Sequence, residues 1–301
     1  MKVLIVKLNA TGDVVRTTPL LRRLSGPVTW LTADANTSLL EGIAPNLHCL
    51  PWSRRDEVLD SRYDLVISLE DDAPTARFVR SVAHERLFGA SLDADDQMRY
   101  SDDAREWFDM SLISRFGRQR ADEMKYRNRR SYQDMVFAGL GWSFDGDTYL
   151  LPAPVPTDLR GDVAIAPVAG PVWPMKTWAH YEALQRRLED AGLRVNVLPK
   201  RQTLLEHLGD IHNHRCLVSG DSLPMHLALG LGTACVTIFN CTSPWEIHGY
   251  GLQSKMVSPL LGDFFYQRGM DERATHAIGL EQVYGAVMAG LGQAVSEGTG
   301  A

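Results

Sequence analysis

Three short segments of the 301-residue chain carry side chains suited to chemistry on an anionic substrate. The first is Thr11-Gly12-Asp13, which follows an apolar β-branched run, Val3 to Leu8, and opens a helix-like run. Backbone N–H groups at such a helix start can accept an anion, and Gly12 permits close approach. Asp13 is suited to capping the helix. At the mouth of a cleft it is equally suited to take the proton from an acceptor hydroxyl as a general base. The second segment is Asp221-Ser222-Leu223-Pro224-Met225-His226, again between an apolar strand and an apolar helix. Pro224 fits the first turn and Asp221 or Ser222 the cap, so the free N–H groups would attract a phosphate, assisted by the Ser222 hydroxyl. A well-capped buried helix with His226 as a core histidine is the alternative. The third is Pro174-Met175-Lys176-Thr177-Trp178, where Lys176 is a point charge suited to a phosphate oxygen or an ordinary surface lysine.

Positioning these segments takes a repeated strand–helix framework. Val3–Leu8, Val28–Thr32 and Asp64–Leu69 read as buried strands, with helices over Val14–Leu24, kinked at Pro19, and over Ser38–Ile43. Residues 70–150 are less regular, apart from a helix over Ser131–Leu140 closed by Gly141. Prolines 152, 154 and 156 mark a linker, because alternating prolines propagate neither a helix nor a central strand. The rhythm then resumes. Strands are expected over Val163–Pro167, Val195–Leu198, Cys216–Ser219 and Cys235–Phe239. Helices are expected over Trp178–Ala191, Leu204–Leu208, about Asp221–Gly230 and Leu280–Ala294, before a frayed tail from Ser296 to Ala301. The expected fold is α/β, with two Rossmann-like domains, residues 1–150 and 151–301, facing across a cleft. That cleft is the default active site. The last helix is free to pack back on the first domain.

Composition narrows the function classes. The net charge is −6, without the basic footprint that nucleic-acid binding needs. Four cysteines, none in a CxxC pair, disfavour zinc ribbons and redox motifs and suit a reducing, cytoplasmic setting. No metal is expected. The opening apolar run is too short for a signal-peptide core, and no stretch reaches the ~20 apolar residues of a membrane span. Residues 70–109 hold 11 acidic and 5 basic residues, whereas 115–130 hold 7 basic and 2 acidic. Glu70-Asp71-Asp72, at the end of a strand, would lie on the same rim as Asp13 and could read a cationic or hydroxyl-rich acceptor. The basic stretch would meet lipid phosphates in a peripheral membrane contact, or neutralise the acidic stretch before it.

Taken together, these motifs resemble the family 9 glycosyltransferases of the heptosyltransferase type. Leu4 to Leu21 looks like that family's opening signature, and Lys176 with Trp178 looks like its lysine–tryptophan motif. Asp221 to Leu229 with Gly232-Thr233 looks like its Asp-Ser-Gly-x-x-His segment. Phe239-Asn-Cys-Thr242-Ser-Pro looks like the strand and loop that follow. Trp107 to Met110, Lys125 and Asn128 to Tyr132 also look like a branch of this family.

The resemblance implies a GT-B fold and an inverting transfer from a nucleotide-diphosphate sugar, with ADP-heptose the leading donor, as co-substrate and with no cofactor. Asp13 would be the base. Thr11, Gly12, Lys176, Trp178, Asp221, Ser222, Pro224, Met225, His226 and Thr242 would hold the donor. Glu70, Asp71 and Asp72 would face a glycoside-type acceptor. An amino-bearing aminocyclitol antibiotic precursor is one such acceptor and the lipopolysaccharide core the alternative. A nucleotide-sugar epimerase and a non-catalytic nucleotide-binding protein are the readings from other classes. Two departures stand out: Leu223 replaces the family's glycine, and Pro199-Lys200-Arg201-Gln202 replaces a glycine-rich turn, which opens the way for Lys200 or Arg201 to contact the donor.

Overall fold

The structure, a computed structural model, describes residues 1–298. The chain divides into two compact units, Met1–Pro152 and Ala153–Ala301, at a point inside the proline run. In the first unit, β1 (Val3–Val6), β2 (Val28–Thr32), β3 (Leu47–Pro51), β4 (Arg62–Ser68), β5 (Ala83–Leu92) and β6 (Met98–Tyr100) form one sheet in the order β3-β2-β1-β4-β5-β6. Pairing is parallel except between β5 and β6. Central β1 is buried along its length because both sheet faces are covered, which is why it reads as an uninterrupted apolar run. Alternation sorts the side chains into two cores. Ile5, Trp30 and Ile67 share one, and Leu4, Leu31 and Val66 the other.

The helices of this unit are α1 (Thr11–Thr17), α2 (Ala73–Arg80), α3 (Arg105–Phe108), α4 (Arg118–Arg127) and α5 (Tyr132–Leu140). Pro19, which has no N–H to donate, ends α1 and lies in a 3-10 turn, Thr18–Arg23. The expected helix at Ser38–Ile43 is instead a 3-10 segment, Asp34–Leu39. The stretch read as less regular contains β5 and β6, whose charges kept them from looking like strands. α5 forms as expected: Ser131 and Asp134 make a reciprocal capping box, and Gly141 ends the helix with a left-handed φ of 83°.

The second unit carries β7 (Gly161–Ala166), β8 (Val195–Val197), β9 (His214–Gly220), β10 (Ala234–Phe239) and β11 (Gln253–Val257), all parallel, in the order β11-β10-β9-β7-β8. Its helices are α6 (Tyr181–Glu189), α7 (Leu204–His212), α8 (Leu223–Leu231), α9 (Leu261–Phe264), α10 (Glu272–His276) and α11 (Leu280–Gly298). Edge strand β11, Gln-Ser-Lys-Met-Val, lacks an apolar run and was invisible to pattern reading. The last helix buries Val283, Val287 and Leu291 in the second unit's own core. It runs to Gly298, through the start of the expected frayed tail; the remaining tail residues, 299–301, lie outside the described residues.

Two histidines, His207 on α7 and His214 at the start of β9, give this unit a pH dependence. His214 donates from Nδ1 to the Asp210 carbonyl at 2.6 Å and accepts at Nε2 from Asn196 at 2.9 Å, which fixes a neutral ring. Burial pushes both His214 and His207 below the ordinary histidine value. The unfolded chain therefore binds more protons than the folded one below about pH 6.5, and stability falls with acidification in that window. Chemical denaturation at pH 7.5 and 5.5 is expected to show a lower midpoint at pH 5.5. An unchanged midpoint in His207→Gln/His214→Gln would assign the effect to these rings.

Candidate active site

In the first sheet β1 lies between β2 and β4, so the strand order reverses there and a crevice opens beyond the carboxyl ends of β1 and β4. Asp13 and the Glu70–Asp72 segment come from those two ends. Asp13 is the third residue of α1, with its side chain 33% exposed. Its Oδ1 lies 3.0 Å from Arg16 Nε and its Oδ2 lies 3.9 Å from Lys7 Nζ. Lys7 is buried. Burial drags its ammonium down, but the Asp13 and Glu70 carboxylates outweigh that and hold it above the ordinary lysine value.

Several expected roles change here. Asp13 is not the cap. Ala10 occupies that position with φ 55° and no side-chain bond. The Thr11 hydroxyl donates to Asn36 Oδ1 at 2.8 Å, and Asn36 in turn donates to the Leu8 carbonyl at 2.7 Å. Thr11 therefore ties the loop down and does not present its hydroxyl to a ligand. Glu70 is buried and accepts from Lys7 Nζ at 2.8 Å, Leu8 N at 2.6 Å and Asn9 N at 3.0 Å. It builds the loop that carries Asp13, with its Oε1 taken by three donors and its Oε2 facing the Asn9 side chain at 3.4 Å. Asp72 caps α2 by accepting the Thr75 N–H at 2.9 Å. Of the three carboxylates, Asp71 alone remains placed to meet a substrate; burial pushes its carboxyl above the usual range, against the pull of Lys7.

In the second sheet the order reverses between β7 and β9, and the two remaining motifs lie at those ends. Lys176 Nζ sits 3.2 Å from Asp221 Oδ2. Burial opposes the Asp221 charge, but Lys176, His226 and the Thr242 hydroxyl together outweigh it and hold the carboxyl below the usual range. A β-carbon on Gly220 would stand 2.4 Å from the Lys176 carbonyl, so the approach of the lysine loop to β9 requires glycine there. Ser222 is the N-cap of α8 by position, but its hydroxyl donates to the Gly220 carbonyl at 3.3 Å and does not cap. Half-buried Pro224 occupies the first turn as expected, whereas Met225 is fully buried and faces the core.

Trp178 is also corrected. It is 2% exposed and its indole N–H donates to the Ile278 carbonyl at 2.9 Å, so it anchors the lysine loop from within the core. Beside that loop, a cavity of about 620 Å³ is lined by Ile165, Pro167, Thr177, Tyr181 and Val197. Arg201 makes a bidentate pair with fully buried Asp210, at 2.6 and 2.7 Å, and so takes a structural role in place of donor contact.

The basic stretch largely answers nearby acids. Arg118 pairs with Asp122, Arg120 with Glu123, Arg115 with Asp109, and Arg130 with Glu106. Among the described residues, no three His, Cys, Asp or Glu side chains gather as a metal site would need, and no helix is long and apolar enough to cross a membrane.

Pattern reading missed Lys7 and Arg16 as parts of the site. A lysine inside a buried strand end and an arginine three residues after Asp13 on a helix were the available signals.

A family model, glycosyltransferase family 9 (heptosyltransferase), matches residues 179–262, a span that contains Asp221 to His226 and Thr242. No curated protein matches the sequence. Among solved structures, the E. coli heptosyltransferase WaaC with ADP is 17% identical with a TM-score of 0.63, covering 96% of this chain and all of that one. A family 9 glycosyl transferase from Veillonella parvula gives 17% and 0.65 over 97% of each chain. E. coli ADP-heptose lps heptosyltransferase II gives 16% and 0.59 over 97% of this chain and 99% of that one. The shared fold is GT-B. Over residues 179–262 the chain matches the family 9 glycosyltransferases, and over nearly its whole length it shares the fold of solved heptosyltransferases.

Proposed function

We propose that the protein transfers a heptose, or a closely related sugar, from ADP-heptose to an acceptor hydroxyl with inversion at the anomeric carbon. The observation that carries this reading is the half-buried Lys176–Asp221 pair at the β7/β9 reversal, beside the N-terminus of α8. There an ammonium stands beside the positive end of a helix, where a leaving diphosphate would gather charge. The acceptor oxygen forms its bond to the anomeric carbon as its proton passes to the Asp13 carboxylate. The bond from that carbon to the diphosphate oxygen breaks, and ADP leaves with the electron pair. Asp221 holds the Lys176 ammonium in place, and the adjacent cavity has room on the scale of a nucleoside.

The acceptor is proposed as a hydroxyl of a glycoside. Glu70 and Asp72 serve the fold, which removes most of the carboxylate surface that an amino-bearing acceptor would need. That loss, and the likeness to a lipopolysaccharide heptosyltransferase, favour the lipopolysaccharide-core alternative.

Incubation with ADP-heptose, UDP-hexose and GDP-hexose, each with acceptor mixtures, tests the donor. Consumption of ADP-heptose with an inverted anomer by NMR is expected; faster turnover of another nucleotide sugar overturns the reading. Lys176→Met is expected to lower the rate of ADP release by about 10²–10³-fold. A loss under threefold would remove Lys176 from leaving-group stabilisation.

A further inference from the structure

We propose that Arg16 is a positioning residue for Asp13, a guanidinium clamped by aromatic rings that fixes the carboxylate through Oδ1 and directs the acceptor's proton to Oδ2. The proposal rests on Asp13 being the base.

Arg16 is buried although it is the partner of a carboxylate that is 33% exposed. A helix-surface pair at this spacing normally keeps both groups in solvent. Here the cation is held from below. Its guanidinium carbon lies 4.3 Å from the Tyr132 ring centroid and 5.2 Å from that of Trp107, at cation–π distances. The two rings meet edge to face with centroids 4.8 Å apart, so the pocket for the guanidinium is stiff. Helix α5 grips the same turn twice more. Gln133 Nε2 donates to the Arg16 carbonyl at 2.8 Å. The Tyr132 hydroxyl meets Thr17 Oγ1 at 2.8 Å, and Thr17 Oγ1 donates to the Asp13 carbonyl at 2.6 Å. Tyr132 thus touches both the cation that holds the carboxylate and the chain that carries it.

Charged and titratable groups facing Asp13 include Arg16 from α1, Lys7 just after β1 and Tyr132 from α5, with Glu70 acting on Lys7 from the loop after β4. Arg16 Nε is close to Oδ1, at 3.0 Å, as an ion pair without hydrogen-bond alignment, whereas the Lys7 ammonium stands 3.9 Å from Oδ2. The oxygen under the tighter cationic contact is the poorer proton acceptor, so Oδ2 takes the proton. A flexible lysine at position 16 could supply the charge but not the rigid planar guanidinium held against the two rings.

The test compares wild type, Arg16→Met, Arg16→Lys, Asp13→Asn and the Asp13→Asn/Arg16→Met double variant. ADP release from ADP-heptose is read with water and with the acceptor mixture that gives wild type its highest rate. Calorimetry gives ADP affinity and thermal melting gives folding. Arg16→Met is expected to lower kcat by about 30-fold, the scale of a misaligned catalytic group, with KM for ADP-heptose and ADP affinity within twofold. Arg16→Lys should fall between it and wild type. In the Asp13→Asn background the Arg16→Met change should cost nothing further, because there is no longer a base to position. A second, independent loss in the double variant, or an unchanged kcat in Arg16→Met, overturns the proposal. If Arg16→Met does not fold, Arg16→Lys decides: a kcat reduced at least threefold at unchanged KM supports it, and wild-type kcat defeats it. Full activity in Asp13→Asn would instead defeat the base assignment, a separate failure.

Discussion

Asp13→Asn is expected to lower kcat for sugar transfer by about 10²–10⁴-fold, the range over which a positioned general base contributes, with ADP affinity within twofold of wild type. Asparagine keeps the size of the side chain and an oxygen for Arg16 Nε, now 3.0 Å from Oδ1. It cannot accept the acceptor's proton. The ADP contacts proposed above belong to the other unit, so binding of the product nucleotide reports whether the variant is folded and competent. Removing the Asp13 charge leaves Lys7 with Glu70 at 2.8 Å, so the buried ammonium keeps its main partner and the loop should hold its shape. The measurement is initial-rate kinetics of ADP release at saturating donor. A variant retaining more than a tenth of wild-type kcat would sink the base assignment. So would a loss carried wholly by KM, because a base acts on the chemical step and not on donor binding.

Part of this site was legible from sequence and part was not, and the division has a physical reason. Central parallel strands are covered on both faces, so Val3–Val6 and Asp64–Ser68 announced themselves as apolar runs, and the segments at their carboxyl ends followed. The Asp221 segment was found the same way, from the end of β9. Edge strand β11, and β5 beside the edge strand β6, were missed because polar residues interrupt their apolar pattern. Roles that depend on distant partners were misread. Glu70 looked like a substrate carboxylate until Lys7, 63 positions earlier in the chain, was found against it. Arg16 meets Tyr132 across the whole first unit, and nothing local marks that contact. Arg201 looked available for a donor until Asp210 was seen to occupy it. The charge contrast between residues 70–109 and 115–130 read as a clue to the acceptor. The structure dissolves much of it into pairs such as Arg115–Asp109. A charge run shows its meaning only once its counter-charges are placed.

Glu70→Ala is expected to destabilise the first unit by about 3–5 kcal/mol, the cost of removing one member of a buried ion pair. Three donors converge on Oε1: the Lys7 ammonium and the N–H groups of Leu8 and Asn9. Alanine leaves all three without that acceptor, and Lys7 is then left with Asp13 Oδ2 at 3.9 Å, too far for a hydrogen bond. For a unit of this size the loss corresponds to a melting temperature lower by roughly 6–20 °C. Asp72→Ala should cost only about 1 kcal/mol, the ordinary value of a helix cap. Glu70→Gln should fall between the two, since its carbonyl oxygen can keep the two N–H bonds while its amide opposes Lys7. Differential scanning calorimetry of the three variants reads this order directly. The competing view, in which Glu70 binds a cationic acceptor, makes the opposite forecast. Glu70→Gln would then raise the acceptor KM and leave the melting temperature where it is. Buried, beneath the chain it braces, Glu70 acts on catalysis through the position of Asp13 and not through substrate. Its variants should therefore lose kcat in step with stability.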